Sequence, residues 1–412
     1  MNALLTTALA LASAEASPPR IHPGIHRALC KDGTVNLILK LAQTTESTLE
    51  SFKESAFSSR ATKIDALKIK LQAQSQVASA EVTKVLSKEA SGLHGGFKNF
   101  WISNQVCVED ASFELVEQLA GLASIGAIRE QYVVNIEKPQ VVDDSKELGV
   151  VVASLDTGVR WPHEVLKHNF RGTYGWYDPE FKTDEPFDVG IHGTHTMGTI
   201  VGAKGVGVAP GATWMSCKIC RVEDCLEADI LECAQLVLCP TDTKGNHADC
   251  SKAPHVVSNS WGYYESATFM KGAVDAWTKA GIVPVFAVGN AGPECKTAGS
   301  PADFPNSIAV GASTSLDQLS EFNSKGPGPN DRRKPDLVAP GERVRSAVST
   351  GDSDYKLLSG TSMAAPHIAG AAALILSAQP ELRKQMPGSL WGKRLLSRLR
   401  RRLCGEQDEE RR

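Results

Sequence analysis

The chain has 412 residues, 42% of them hydrophobic, which is enough for one large core and a smaller domain. Its formal net charge of −3 indicates no particular partner, and no apolar run reaches the roughly 18 residues that a membrane span requires. We therefore expect a soluble protein without a nucleic-acid partner and without a membrane span.

The N-terminus predicts a signal peptide. Residues 3–14 form a short apolar stretch followed by small residues, a pattern typical of a secretory leader. The basic residues that usually precede such a stretch are missing, so a disordered or helical N-terminus is the alternative interpretation. We expect residues 1–16 to be removed and the protein to be secreted into the extracellular space.

Residues 17–138 predict a separate small α+β unit. Alternating or apolar runs indicate strands at 34–41, 96–103 and 127–136. Recurring Leu, Ile and Val among polar residues indicate helices within 49–86 and at 113–122. The pattern alone does not show what this unit does.

Residues 139–385 alternate between strand and helix signals. Strands are predicted at 149–155, 212–219, 255–260, 282–288 and 307–311, and helices at 226–238 and 267–280. Such alternation predicts a doubly wound, mostly parallel α/β sheet with helices on both faces.

Polar residues follow the apolar runs of this region. Asp156 directly follows the buried strand 149–155, Asn290 closes the run 282–290, and His192 opens a stretch of small residues that indicates a helix start. Because ligands of open α/β sheets bind at the carboxyl ends of strands, we expect these side chains to share one site.

Ser362 is the candidate nucleophile, at the junction between a small-residue turn and an apolar helix. Gly360 allows the backbone to approach a substrate closely, and the Ser362 N–H points out of a helix N-terminus. Pro366 is predicted to lie in the first turn of that helix, where its missing N–H costs little. In isolation, the same serine could simply cap a buried helix.

Four segments resemble the signatures of subtilisin-like serine proteases in their chain order, namely Ser154–Gly158, His192–His195, Val288–Asn290 and Gly360–Pro366. An α/β-hydrolase is excluded, because it requires Gly-x-Ser-x-Gly with the serine first in the chain, whereas Ala364 stands at the second glycine. The region from the cysteines to Gly262 looks like the bacillopeptidase F-like branch.

The resemblance implies the roles of individual residues. Asp156, His192 and Ser362 would form a catalytic triad, with the Asn290 side chain and the Ser362 N–H as oxyanion donors. The residues that would bind a protein or peptide substrate are Ser260, Trp261, Gly262, Ala287, Val288 and Gly289. The implied enzyme is a monomeric serine endopeptidase that acts through an acyl-enzyme.

The resemblance also implies that residues 17–138 are a ferredoxin-like propeptide and that the enzyme is made as a zymogen. The propeptide would be an intramolecular inhibitor of the catalytic domain at 139–385.

The sequence departs from the family pattern in two places, and the second, an atypical truncated C-terminus, leads to an alternative, a catalytically dead subtilase-like binding protein. Ile191 replaces the glycine that usually precedes the histidine, and a β-branched residue restricts the backbone. Residues 386–412 form an atypical basic tail, either solvated or a basic amphipathic helix.

Seven of the ten cysteines fall between residues 217 and 295, and they predict disulfides if the protein is secreted. A zinc site is the alternative, and one thiol remains over unless Cys404 pairs with it. No cofactor or metal ligand is assigned. A structural calcium ion is compatible with the acidic residues between 178 and 188, but their spacing matches no known ligand set.

Overall fold

The computed structural model describes residues 20–22, 24–25, 28–29, 33–52, 57, 59–89, 92–136, 147–222, 224–264 and 267–383. They fall into two compact units, one within 1–43, 78–98 and 105–130, the other within 44–77, 99–104 and 131–412. The signal peptide, the domain boundary near residue 138 and the basic tail at 386–412 lie outside the described residues and stay predictions.

The elements before residue 137 are β1 (Arg20–Ile21), β2 (Val35–Leu41), α1 (Glu46–Glu50), α2 (Arg60–Lys84) with a π-helical turn (Val85–Glu89), β3 (Gly96–Phe100), β4 (Gln105–Ala111), α3 (Phe113–Ala120), β5 (Ile125–Glu130) and β6 (Val133–Ile136). Strand β4 was not predicted, because Gln105 and the acidic pair Glu109 and Asp110 leave it only a short apolar centre. The single strand predicted at 127–136 is wrong: β5 and β6 belong to different sheets.

The first unit is an α+β structure around a five-stranded sheet. Its strand order is β1-β5-β2-β4-β3, with β2 antiparallel to both β4 and β5. Alternate residues of β2, Leu37 and Leu39, are fully buried against Leu115 and Leu119 of α3 in one apolar cluster. The Ser112 side chain caps α3 by accepting a hydrogen bond from Leu115 N at 3.3 Å.

The elements from residue 147 onward are β7 (Glu147–Asp156), β8 (Trp176–Tyr177), α4 (His192–Val201), β9 (Gly211–Lys218), β10 (Cys225–Leu226), α5 (Glu227–Leu238), β11 (Val256–Asn259), β12 (Trp261–Gly262), α6 (Lys271–Lys279), β13 (Val283–Ala287), β14 (Ile308–Ser313), β15 (Leu337–Pro340), β16 (Val344–Ala347), β17 (Tyr355–Leu358) and α7 (Thr361–Ala378). Short 3₁₀ turns lie at Cys250–Lys252, Pro329–Asp331 and Pro380–Arg383.

Seven parallel strands form the central sheet of the second unit, in the order β15-β14-β13-β11-β7-β9-β8. Alternate residues such as Val150 and Val152 of β7 pack on α4 and α7 in one buried cluster. Helices α5 and α6 lie outside that cluster, and Trp277 Nε1 of α6 donates to Ala234 O of α5 at 3.0 Å. The predicted α/β sheet with helices on both faces is confirmed.

Helix α7 lies in the core of this unit. It is the one helix among the described residues that is long and apolar enough to cross a membrane by length and composition, and 72% of it is buried inside the protein. Such burial is typical of the core helix of a globular unit.

A second, three-stranded sheet lies beside the central one, in the order β10-β6-β12. Strand β6 is its middle strand and pairs antiparallel with both neighbours, Val134 with Cys225 and Ile136 with Trp261. The chain up to Ile136 is therefore held as an extended strand next to the loop that contains Ser260.

Candidate active site

Asp156 and His192 form a buried hydrogen-bonded pair. Asp156 ends β7 and His192 begins α4, and the distance from His192 Nδ1 to Asp156 Oδ1 is 2.7 Å. The two side chains are only 1% and 2% exposed. His192 Nε2 is also buried and has no hydrogen-bond partner among the described residues. The carboxylate therefore orients the ring and leaves the second nitrogen available to accept a proton.

Glycines allow α4 to approach the end of β7. A Cβ atom on Gly193 would lie 2.0 Å from the Gly158 carbonyl oxygen, so no larger residue fits after His192. Ile191 occupies the position before it with φ −132° and ψ −7°, outside the left-handed region that favours glycine. The backbone at this position therefore does not require the glycine that the family usually has.

Two threonines that sequence reasoning missed, together with Asp188, hold this pair. Thr196 Oγ1 donates to Asp156 Oδ2 at 2.9 Å, and Thr157 N donates to Asp156 Oδ1 at 2.8 Å. Asp188 accepts from Thr157 Oγ1 at 2.7 Å and from Thr194 N in the first turn of α4 at 2.9 Å. Desolvation raises the pKa of the Asp188 carboxyl, and these hydrogen bonds oppose that shift. The i, i+4 spacing of His192 and Thr196 was the available signal.

Ser362 is the second residue of α7 and is bonded to Ser260 in both directions. Ser362 Oγ donates to Ser260 O at 2.9 Å, and Ser260 Oγ donates to Ser362 O at 2.8 Å. The second bond depends on Pro366, which is the sixth residue of α7 and not in its first turn as predicted. Because proline has no N–H, the Ser362 carbonyl lacks its usual i+4 donor, and Ser260 takes that place.

Asn290 is oriented by the residue before the candidate nucleophile. Its Oδ1 accepts from Thr361 N at 2.9 Å and from Thr361 Oγ1 at 2.8 Å. With the oxygen fixed in this way, the amide NH₂ is directed away from Thr361 and can donate to another acceptor. Thr361 lies within the Gly-Thr-Ser motif, but the motif gave no indication that it would hold Asn290.

The six predicted substrate-binding residues lie around one cleft. The cleft has a volume of about 310 Å³, is open to solvent, and is also lined by Asn290, Thr361 and Ser362. All of its lining residues are uncharged, and two tyrosines that the sequence did not suggest, Tyr263 and Tyr264, complete it. The structure thus brings the candidate nucleophile, the Asn290 amide and the predicted substrate residues together.

Part of the acidic loop is neutralised by a buried lysine. Lys218 Nζ lies 3.1 Å from Asp178 Oδ1 and 2.7 Å from Glu180 Oε2, and the Lys218 and Asp178 side chains are 1% and 0% exposed. An ammonium group therefore occupies the place between carboxylates where a cation would bind. Among the described residues, the one cluster with metal-ligand spacing contains Cys239 and Cys250, whose thiols are consumed in a disulfide.

Six cysteines form three disulfides, namely Cys217–Cys233, Cys220–Cys225 and Cys239–Cys250. Cys295, the seventh of this region, is a free and exposed thiol. The predicted disulfides are confirmed in preference to the zinc site, while Cys404 lies outside the described residues.

Comparison with known proteins identifies the family. The model of the subtilase family matches residues 147–400, which is more than half of the chain. The chain belongs to the subtilase family. This subtilase is 39% identical to bacillopeptidase F of Bacillus subtilis (strain 168) over 258 residues, covering 57% of the chain and 18% of that protein. It is 34% identical to subtilisin E of the same organism over 237 residues, covering 56% of each.

A solved structure gives the same result. The structure of sphericase superimposes with a TM-score of 0.50 and 26% identity, covering 63% of this chain and 84% of that one. The predicted resemblance to subtilases and to bacillopeptidase F is therefore confirmed. The chain spans only 18% of bacillopeptidase F and 56% of subtilisin E.

Proposed function

We propose that this subtilase is a serine endopeptidase, and the buried Asp156–His192 hydrogen bond of 2.7 Å, which leaves His192 Nε2 without a partner among the described residues, carries the proposal. The Ser362 hydroxyl turns from Ser260 O toward His192, and its oxygen attacks the carbonyl carbon of a peptide bond while His192 Nε2 takes the proton. Asp156 stabilises the imidazolium that forms.

The developing oxyanion is stabilised by two donors. The Asn290 amide NH₂ is directed away from Thr361, and the Ser362 N–H lies at the N-terminus of α7. Collapse of the intermediate breaks the C–N bond, and His192 delivers its proton to the leaving amine. Water then attacks the acyl-enzyme with His192 again as base, which releases the acid and restores Ser362.

Labelling with a fluorophosphonate probe tests this function. We expect covalent modification at Ser362, and the loss of both labelling and peptidase activity in Ser362→Ala. His192→Ala is expected to lose activity by several orders of magnitude, and the double variant to be hardly worse than either single one, because the residues act as a unit. A processed protein that binds peptides but neither labels nor hydrolyses them would instead be the dead binding protein.

We also propose that the enzyme is made as a self-inhibited zymogen. Strand β6 is the middle strand of the sheet with β10 and β12, as an extended peptide substrate would be if it added a strand there. Arg60 of α2 donates to Ala253 O at 3.0 Å and to Pro254 O at 2.5 Å, which anchors the N-terminal helix within the second unit. Residues 17–138 would thus be the inhibitory propeptide.

Self-processing has its own test. The bond cleaved during maturation is expected among the first bonds after Ile136, because β6 leads toward Ser260 and Ser362. Ser362→Ala made without other proteases is expected to remain unprocessed, and residues 17–138 added in trans are expected to inhibit the mature enzyme. Efficient maturation of Ser362→Ala in a protease-free system would contradict self-cleavage.

Secretion and a monomeric state complete the proposal. Three disulfides are typical of proteins that fold in an oxidising compartment, and the N-terminal apolar stretch fits a signal peptide. The substrates would be proteins or peptides, with no nucleic acid as partner.

A further inference from the structure

Strands β10 and β12, which lie on either side of β6, are the two rims of the proposed substrate site, and they differ in how they are supported. Strand β12 follows directly on β11 of the central sheet, whereas β10 is a two-residue strand whose sheet partner among the described residues is β6. If β6 is removed on maturation, β10 keeps only the antiparallel bridge between Cys225 and Cys220 as backbone pairing among the described residues. A two-stranded hairpin of this kind is at best marginally stable in water.

The hairpin that ends in β10 has little apolar packing at its tip. Val222 is 81% exposed, and the hairpin is closed by a hydrogen bond from Arg221 N to Asp224 O at 2.6 Å. At its base, the Cys220–Cys225 disulfide joins the second residue after β9 to the first residue of β10. Arg221 Nε also lies 3.0 Å from Asp229 Oδ2 in the first turn of α5. The disulfide is thus the covalent support of this rim.

We propose that the Cys220–Cys225 disulfide is a positioning element for extended substrates, an inference that rests on the proposed peptidase function. By holding β10 in its strand conformation, it prepares the rim for main-chain hydrogen bonds with the distal part of the substrate. Preorganisation of this kind increases affinity by removing the entropy cost of ordering the rim on binding.

The register shows which substrate residues depend on this rim. Ile136 and Asn135 pair with β12, whereas Val134 and Val133 pair with Cys225 and Leu226 of β10. The ladder continues beyond β10, since Glu227 N donates to Tyr132 O at 3.2 Å and Glu227 Oε2 accepts from Tyr132 N at 3.1 Å. A substrate in the same register reaches β10 only if it extends well before the cleaved bond.

Substrate length therefore gives the test. Two peptides share the residues around the cleaved bond, one with about three residues before that bond and one with about six, which reaches β10 and Glu227. In the mature enzyme, the longer peptide is expected to have the higher kcat/KM through a lower KM. In Cys220→Ser/Cys225→Ser, this advantage is expected to fall roughly tenfold, as for the loss of about two main-chain hydrogen bonds.

The Cys239–Cys250 disulfide provides the matched control. Its cysteines are buried like Cys220 and Cys225, but neither lies in the sheet that contains β6. Cys239→Ser/Cys250→Ser is expected to keep the full length advantage. The ratio of kcat/KM for the two peptides cancels any difference in the amount of active enzyme.

The outcomes separate the two proposals. An unchanged length advantage in Cys220→Ser/Cys225→Ser, or an equal loss in both double variants, would overturn the role of this disulfide. If Cys220→Ser/Cys225→Ser does not fold, Arg221→Ala loosens the same hairpin and is expected to reduce the advantage in the same direction; no reduction there would also overturn it. Absence of hydrolysis of either peptide by the mature wild-type enzyme would contradict the peptidase function itself.

Discussion

At the scale of single residues, Thr361 controls the direction in which the Asn290 amide points. Thr361→Ala removes the hydroxyl donor at 2.8 Å and leaves only the main-chain donor at 2.9 Å on Asn290 Oδ1. We expect kcat to fall roughly tenfold with little change in KM, because a mispointed amide weakens only the bond to the oxyanion. Steady-state kinetics on one peptide substrate measures both values.

Two further variants serve as comparisons for Thr361→Ala. Thr361→Ser keeps the hydroxyl and is expected to retain most of the activity. Asn290→Ala removes the donor itself and is expected to lower kcat by ~10²–10³, a range known for subtilisin. A Thr361→Ala enzyme that changes only in KM would show that Thr361 acts on substrate binding and not on Asn290.

Lys218 lies outside the active site, and its loss is expected to lower the stability of the protein strongly. Lys218→Met would leave the Asp178 carboxylate, 0% exposed, and that of Glu180 without their shared cation. We expect destabilisation by about 3–5 kcal/mol, which denaturant unfolding of the Ser362→Ala protein measures without self-digestion.

An exposed lysine provides the comparison for Lys218. The Lys204 side chain pairs with Glu164 but is 58% exposed, so Lys204→Met is expected to cost less than about 1 kcal/mol. Equal losses in the two variants would mean that the buried cluster around Lys218 has no special stabilising role.

At the scale of elements, the proline in α7 and the serine after β11 form one unit. Ser260→Ala is expected to destabilise the protein by about 1–3 kcal/mol, because the buried Ser362 carbonyl loses its donor. Pro366→Ala in the same background restores a helix N–H for that carbonyl and is expected to recover part of the loss. Thermal unfolding of the two variants in a Ser362→Ala background, where the carbonyl is retained, checks the coupling, and purely additive effects would contradict it.

The sequence predicted the elements that end at the site better than the contacts between them. Asp156 and Asn290 were placed after β7 and β13 because long apolar runs precede them, and His192 and Ser362 were placed at helix starts because small residues surround them. The hydrogen bonds between Ser260 and Ser362 were not predictable, because they join residues 102 positions apart. Only the folded sheet brings such residues together.

Strands with few apolar residues were the other weakness of the prediction. β10 and β12 are two residues long and form their sheet only with β6, so no periodicity in the chain could reveal them. The break between β5 and β6 was not visible in the sequence either. The ring of Tyr132, which lies between the two strands in the chain, is 4.5 Å from that of Tyr263 between centroids, a contact between distant residues that no local pattern reveals.

At the scale of the whole molecule, buried histidines make stability depend on pH. Burial lowers the pKa of His163 and His367, and burial together with the nearby His192 lowers the pKa of His195 well below its usual value. A histidine that is neutral in the folded state must gain a proton on unfolding in acid. The stability that these groups contribute is therefore complete above their unfolded pKa of about 6.5 and is lost as the pH falls below it.

The size of the effect follows from the number of protons taken up. Each such histidine contributes up to about 1.4 kcal/mol per pH unit between the pKa values of its unfolded and folded states. The Ser362→Ala protein is therefore expected to show a falling Tm from about pH 6.5 downward, before the carboxylates begin to titrate.

His195→Gln is expected to reduce that slope, although the variant loses some stability at neutral pH. A Tm that stays level between pH 6.5 and pH 5, or a slope that His195→Gln does not alter, would contradict this account. It would mean that these histidines take up protons in the folded protein as readily as in the unfolded one.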